Sequence, residues 1–124
     1  MAYNIELADR IRHFLTFRTN LKIEEKKMFR GLTFMVNGKM CVSVSNDNLM
    51  CRFDPYLQDE TAEKVGFQNM IMKGRKYRGY CYVSNIGYKA KKNFEYWLNL
   101  CLDFNDKAST IKRKNTSNAV LRDV

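Results

Sequence analysis

Between residues 32 and 53, apolar side chains recur at every second position in three consecutive runs, and each break falls on a turn signal. Leu32, Phe34 and Val36 alternate with Thr33 and Met35; Met40, Val42 and Val44 alternate with Cys41, Ser43 and Ser45; Leu49, Cys51 and Phe53 alternate with Met50 and Arg52. A period of two is the signature of a strand with one buried face. The first break is Asn37–Gly38, both of which tolerate positive φ, and this dipeptide is the strongest short hairpin signal. The second is Asn46–Asp47–Asn48. Three strands joined in succession by tight turns make an antiparallel meander.

The flanks supply helices. Asn4 is a capping residue, and Leu7, Ala8, Ile11, Phe14 and Leu15 follow at helical spacing, which predicts a helix over about 4–18. Residues 22–29 alternate imperfectly and carry Glu24, Glu25, Lys26 and Lys27, as an edge strand does when its charges discourage stray pairing. Asp54–Pro55 reads as a helix start, and Gly66 ends that short helix. Met70, Ile71 and Met72 suggest an irregular strand before a basic loop at 73–78, and Gly79 to Val83 reads as a fifth strand. Phe94, Trp97, Leu98, Cys101 and Leu102 form the stripe of a helix over 89–103. The order is helix, four strands, helix, strand, helix. It predicts an α+β two-layer sandwich, with an antiparallel sheet of about five strands covered on one face by the first and last helices. The opposite face would carry Met35, Cys41 and Met50. That set is too mixed for plain solvent, so it is a candidate interface.

The chain has 124 residues, the size of one domain, with a folded body expected at 1–106 and a basic tail at 107–124. It lacks a continuous apolar run of about 20 residues and a signal-peptide pattern, so a cytoplasmic protein off the membrane is expected. Cys41, Cys51, Cys81 and Cys101 match no CxxC or zinc spacing and read as small buried apolar residues in a reducing compartment. The net charge is +9. The tail holds five cations against one acid, so +5 remains on the body. Basicity on this scale favours anionic partners.

The sequence carries no recognisable catalytic or metal-binding motif. The glycines are isolated, so no phosphate-cradling loop is present, and there is no GxSxG elbow. His13 is the sole histidine and lies among Arg10, Arg12 and Arg18 on the polar side of the first helix, the place of an exposed structural residue. One histidine also excludes most zinc and non-haem iron sets. Glu24–Glu25 alternate across a strand and point apart, and Asp59–Glu60 sit on a short solvated helix, so neither is a general acid/base pair. The expectation is a protein that is not an enzyme and has no cofactor or metal. The basic segment Lys73, Arg75, Lys76 and Arg78, interleaved with Tyr77, and the tail cluster Lys112, Arg113 and Lys114 are the candidate nucleic-acid contacts, since cations neutralise phosphates while aromatics stack on bases.

One segment goes beyond pattern. Met28-Phe29-Arg30-Gly31, followed by the apolar strand and Gly38, resembles the MFGG signature of the TfoX/Sxy N-terminal domain family. Met28, Phe29 and Gly31 match, and Arg30 stands where the family has its first glycine. The strand ending Arg52-Phe53-Asp54, the Gly79-Tyr80-Cys81-Tyr82-Val83 strand and Tyr96-Trp97-Leu98 match in order, so the likeness spans roughly residues 5–105. The bend at the motif is assigned to Gly31 alone. The resemblance implies a helix-flanked antiparallel sheet of secretion-chaperone kind. It also implies a role like that of competence-gene regulators, which act with the cyclic-AMP receptor protein at promoters and carry a second, helical domain that this chain is too short to hold. A non-enzymatic regulatory or adaptor domain follows, working through a protein partner such as a transcription factor, with a homodimer through the open sheet face. The alternative is a small basic nucleic-acid-binding protein.

Overall fold

The computed structural model describes residues 3–18, 20–28 and 30–108. Asn4 caps helix α1 (Ile5–Thr16), its side-chain oxygen accepting from the Leu7 N–H. Strands β1 (Ile23–Met28), β2 (Gly31–Val36), β3 (Lys39–Ser45) and β4 (Asn48–Arg52) follow in meander order. Asp54 then accepts from the Tyr56 N–H and starts a 3-10 turn, Pro55–Leu57, that runs into helix α2 (Gln58–Thr61). Strands β5 (Phe67–Met72) and β6 (Arg75–Val83) and helices α3 (Asn85–Tyr88) and α4 (Lys91–Asn105) complete the body. All strand pairings are antiparallel, and the six-stranded sheet has the order β1-β2-β3-β4-β6-β5. The α+β two-layer architecture is therefore the one expected, with one strand more than expected. No helix among the described residues is long and apolar enough to cross a membrane.

The added strand is β5, the segment read as an irregular strand, and the basic segment after it is the turn and the start of β6 rather than a loop. Lys73 and Gly74 have φ of 54° and 77°, nearly the values at Asn37 and Gly38 (54° and 81°). Both turns meet the demand of a two-residue hairpin for positive φ at each central position. The chain reverses at Lys73–Gly74, and Arg75 already belongs to β6. Lys-Gly is a weaker signal than Asn-Gly because lysine tolerates this region less well.

One sheet face packs on the helices. Leu32, Phe34, Val36, Val42, Val44, Leu49, Cys51, Cys81 and Val83 meet Leu7, Ile11 and Leu15 of α1 and Phe94, Trp97 and Leu98 of α4. Burying each large apolar side chain contributes about 1.5–3 kcal/mol, so this layer dominates stability. Lys39 reaches across the end of the sheet and donates through Nζ to the Asn105 and Asp106 carbonyls. A cation there complements the negative end of the α4 dipole. On the other side Arg12 of α1 holds Glu25 of β1 with hydrogen bonds of 2.6 and 2.9 Å. The guanidinium holds the Glu25 carboxyl below the ordinary carboxylate range.

The second face differs from the simple alternation in one respect. The β2–β3 register runs Phe34 opposite Val42 and then Met35 opposite Met40, so Cys41 is an extra residue in β3. Such a bulge turns a residue to the other face. Cys41 is thereby placed in the helix-side core, and Met40 takes its place beside Met35. The grouping of Cys41 with Met35 and Met50 is corrected accordingly.

The methionine face and the candidate functional site

On the second face Met35, Met40, Met50 and Met70 form a small buried cluster of their own, with Tyr80 and Tyr82 half-buried against it. Thr33 and Ser43, opposite one another on β2 and β3, satisfy each other through a 2.6 Å hydroxyl–hydroxyl hydrogen bond. Between Asn69↔Cys81 and Ile71↔Lys76 the β5–β6 register gains three residues, all on β6. The end of this hairpin bends there, and Tyr77 stacks on Tyr80 with ring centroids 4.8 Å apart. The result is a groove of about 350 Å³ lined by Met40, Met50, Met70, Ile71, Met72, the three tyrosines 77, 80 and 82, and Arg30. Ile71 and Met72 are 57% and 51% exposed. Burial raises the Tyr80 phenol pKa, while the nearby Arg52 guanidinium opposes the shift. Unbranched methionines adapt their shape to what they meet, so a methionine-lined groove suits an apolar segment of a partner.

Of the residues proposed from sequence for an interface, Met35 and Met50 lie on this face and Cys41 does not. Met40, Met70, Tyr80, Tyr82 and Arg30 join them. Tyr80 and Tyr82 were legible as the partners of Cys81 in an alternating strand. Met40 was not, because nothing in Met40-Cys41-Val42 signals a bulge.

The family motif has a different physical basis at each position. Met28 pairs with Gly31 across the two-residue connection between β1 and β2, and Phe29 lies outside the described residues. Arg30 is in the left-handed region, with φ of 60°, whereas Gly31 is not among the positive-φ residues. The assignment of the bend to Gly31 alone is thus corrected. Gly31 is needed for close approach, since a Cβ there would lie 1.7 Å from the Val44 carbonyl oxygen.

The basic candidates separate. Lys73, Arg75 and Lys76 are exposed on the β5–β6 hairpin, whereas Arg78 donates to the Pro55 carbonyl at 3.2 Å. Lys112, Arg113 and Lys114 lie outside the described residues. A second cationic region, absent from the sequence reading, lies in a cleft of about 540 Å³ between α1 and α4. There Arg10 stacks over Phe94 and Arg18 over Phe14, each 4.1 Å from the ring centroid, with Lys91 and the exposed His13 alongside.

The four cysteines are free and buried. Cys51 and Cys81 are cross-strand neighbours, and Cys101 reaches Cys51 from α4. Burial pushes the Cys41 thiol well up, and hydrogen bonds within the cluster join burial in raising that of Cys51. A thiol held toward its neutral form is a poor nucleophile, and all four are enclosed away from a reagent. Ellman's reagent is therefore expected to titrate essentially no thiol in the native protein at pH 8 and all four in guanidinium. Rapid native reaction of any one would contradict the packing. Among the described residues no three His, Cys, Asp or Glu side chains form a group that could hold a metal ion.

No curated protein and no solved structure matches the chain. Residues 17–105 do match the TfoX N-terminal domain family, a span that runs from the end of α1 to the end of α4 and contains the whole sheet. The chain therefore belongs to the TfoX N-terminal domain family.

Proposed function

We propose that this domain is a non-enzymatic regulatory or adaptor module, related in role to the TfoX-type competence regulators, and that it works by docking a partner protein on its methionine and tyrosine face. The observation that carries this reading is the groove. An adaptable apolar trough flanked by half-exposed Ile71, Met72 and Tyr77 is what a recognition surface needs, and it serves no packing purpose in the helix-side core. Family membership supports a TfoX-like domain, and by analogy with the competence regulators a transcription factor is the class of partner proposed. The chain would act in the cytoplasm.

The test is affinity capture from native cell extract, with and without nuclease, comparing wild type with Tyr77→Asp. Tyr77 is 47% exposed, so the variant is expected to fold, and circular dichroism checks this. A protein retained by wild type after nuclease and lost from Tyr77→Asp supports the reading. A protein retained equally by both, or released by nuclease, overturns it.

Nucleic-acid contact is the second reading, favoured by the exposed Lys73, Arg75 and Lys76 and by the arginine–phenylalanine stacks between α1 and α4. It requires binding to a single-stranded oligonucleotide that falls steeply as salt rises. Absence of binding at low salt removes it.

A further inference from the structure

The two edges of the sheet are built differently. Edge strand β1, Ile23-Glu24-Glu25-Lys26-Lys27-Met28, carries four charges in succession. Edge strand β5, Phe67-Gln68-Asn69-Met70-Ile71-Met72, carries none, and only Met70 is buried. Proteins protect exposed edges with charge, proline or a covering element, because an unpaired strand is a template for another. β5 has neither charge nor proline, and among the described elements β6 is its only strand neighbour. The register shift places its extra residues on β6, so β5 itself runs without interruption.

Charge indicates which strand it would accept. The segment just before β5 holds Asp59, Glu60, Glu63 and Lys64, a net negative stretch, while the turn and the start of β6 just after it hold Lys73, Arg75 and Lys76. A strand laid antiparallel on β5 brings its beginning to the end of β5. A second copy of β5 so placed sets Met72 opposite Phe67 when the pair is centred between Asn69 and Met70. It also brings the cations that follow each β5 toward the end of the other β5 that the acidic segment leads into, where Glu63 lies with Lys64 and Lys92. Parallel pairing would set cations against cations. A two-fold arrangement needs one self-complementary patch, and this strand with its oppositely charged ends is one.

We infer that the chain forms a homodimer through antiparallel pairing of β5 with β5 of a second copy, joining two six-stranded sheets into one. The junction pairs the free backbone edge of β5, and the side chains of Ile71 and Met72 stay on the faces of the joined sheet. It sets the two methionine grooves side by side on one continuous face. The inference stands apart from what the groove binds, since self-association is measured with the purified chain alone.

The experiment is sedimentation equilibrium of the full chain from micromolar to millimolar concentration, on wild type and three variants. Wild type is expected to dimerise, more weakly as salt rises. Ile71→Lys restores the missing edge charge at an exposed position and is expected to abolish the dimer while its thermal midpoint stays near that of monomeric wild type. K73E/K76E is expected to weaken the dimer at least several-fold, and adding E60K/E63K to it is expected to restore the wild-type affinity. A wild type that stays monomeric at millimolar concentration overturns the inference. So does a dimer indifferent to Ile71→Lys, or a charge swap that gives no rescue. Should Ile71→Lys fail to fold, the charge-swap series decides alone. Capture that is indifferent to Tyr77→Asp, with the dimer intact, counts against the groove reading only.

Discussion

Gly31→Ala is expected to destabilise the domain by about 3 kcal/mol or more, at the upper end of the cost of forcing atoms into a packed interior. The added methyl would sit 1.7 Å from the Val44 carbonyl oxygen and 2.8 Å from its carbon. Those are backbone atoms of the neighbouring strand, so no side-chain rotation makes room. The β2–β3 ladder, where Gly31 pairs with Ser45, must separate instead. The preceding residue provides a control of opposite sign. Arg30 sits at φ of 60°, where a non-glycine residue bears about 1–2 kcal/mol of strain. Glycine relieves this but loses more freedom on folding, so Arg30→Gly is expected to gain about 0.5–1 kcal/mol. Urea denaturation followed by circular dichroism measures both. A stable Gly31→Ala protein, or a loss at Arg30→Gly, would refute the backbone geometry proposed for this turn.

Trp97→Ala should cost about 3–5 kcal/mol, the usual range for truncating a fully buried aromatic. Trp97 is 1% exposed and heads the large side chains of the core. Its indole N–H also donates to the Gly87 carbonyl at 3.2 Å, tying α4 to α3. Trp97→Phe separates the two contributions. It keeps most of the apolar contact and leaves the carbonyl without its donor, which costs about 1–3 kcal/mol. Domains of this size have about 5–15 kcal/mol in all, so the alanine variant is expected to be marginal at 37 °C while the phenylalanine variant folds. Thermal unfolding by circular dichroism reads both. Equal losses would mean that the indole hydrogen bond, rather than ring volume, carries the effect.

The helices and the meander were legible because their signals are local. Asn4 caps α1 through its own side chain, Asp54 caps the turn at Pro55, and Asn37–Gly38 reverses the chain where two glycine-tolerant residues stand together. The candidate site was half legible. Met35 and Met50 alternate with core residues in unbroken strands, so their face could be assigned by counting. Counting failed at Cys41, since one extra residue in β3 exchanges it with Met40. It failed again at 73–78, where a run of cations resembles a solvated loop until β5 pairs with it as the start of β6.

Sequence alone determined the strand and helix periods, the turn chemistry, the absence of recognisable catalytic motifs and the family. Tertiary structure decided that Cys41 lies in the helix-side core, that the end of the β5–β6 hairpin lines a methionine groove, and that β5 is the edge without charges. The reason is physical. Periods and caps arise within a few residues of backbone, whereas a bulge, a groove or an edge is defined by what lies across from a residue, and those neighbours come from distant parts of the chain.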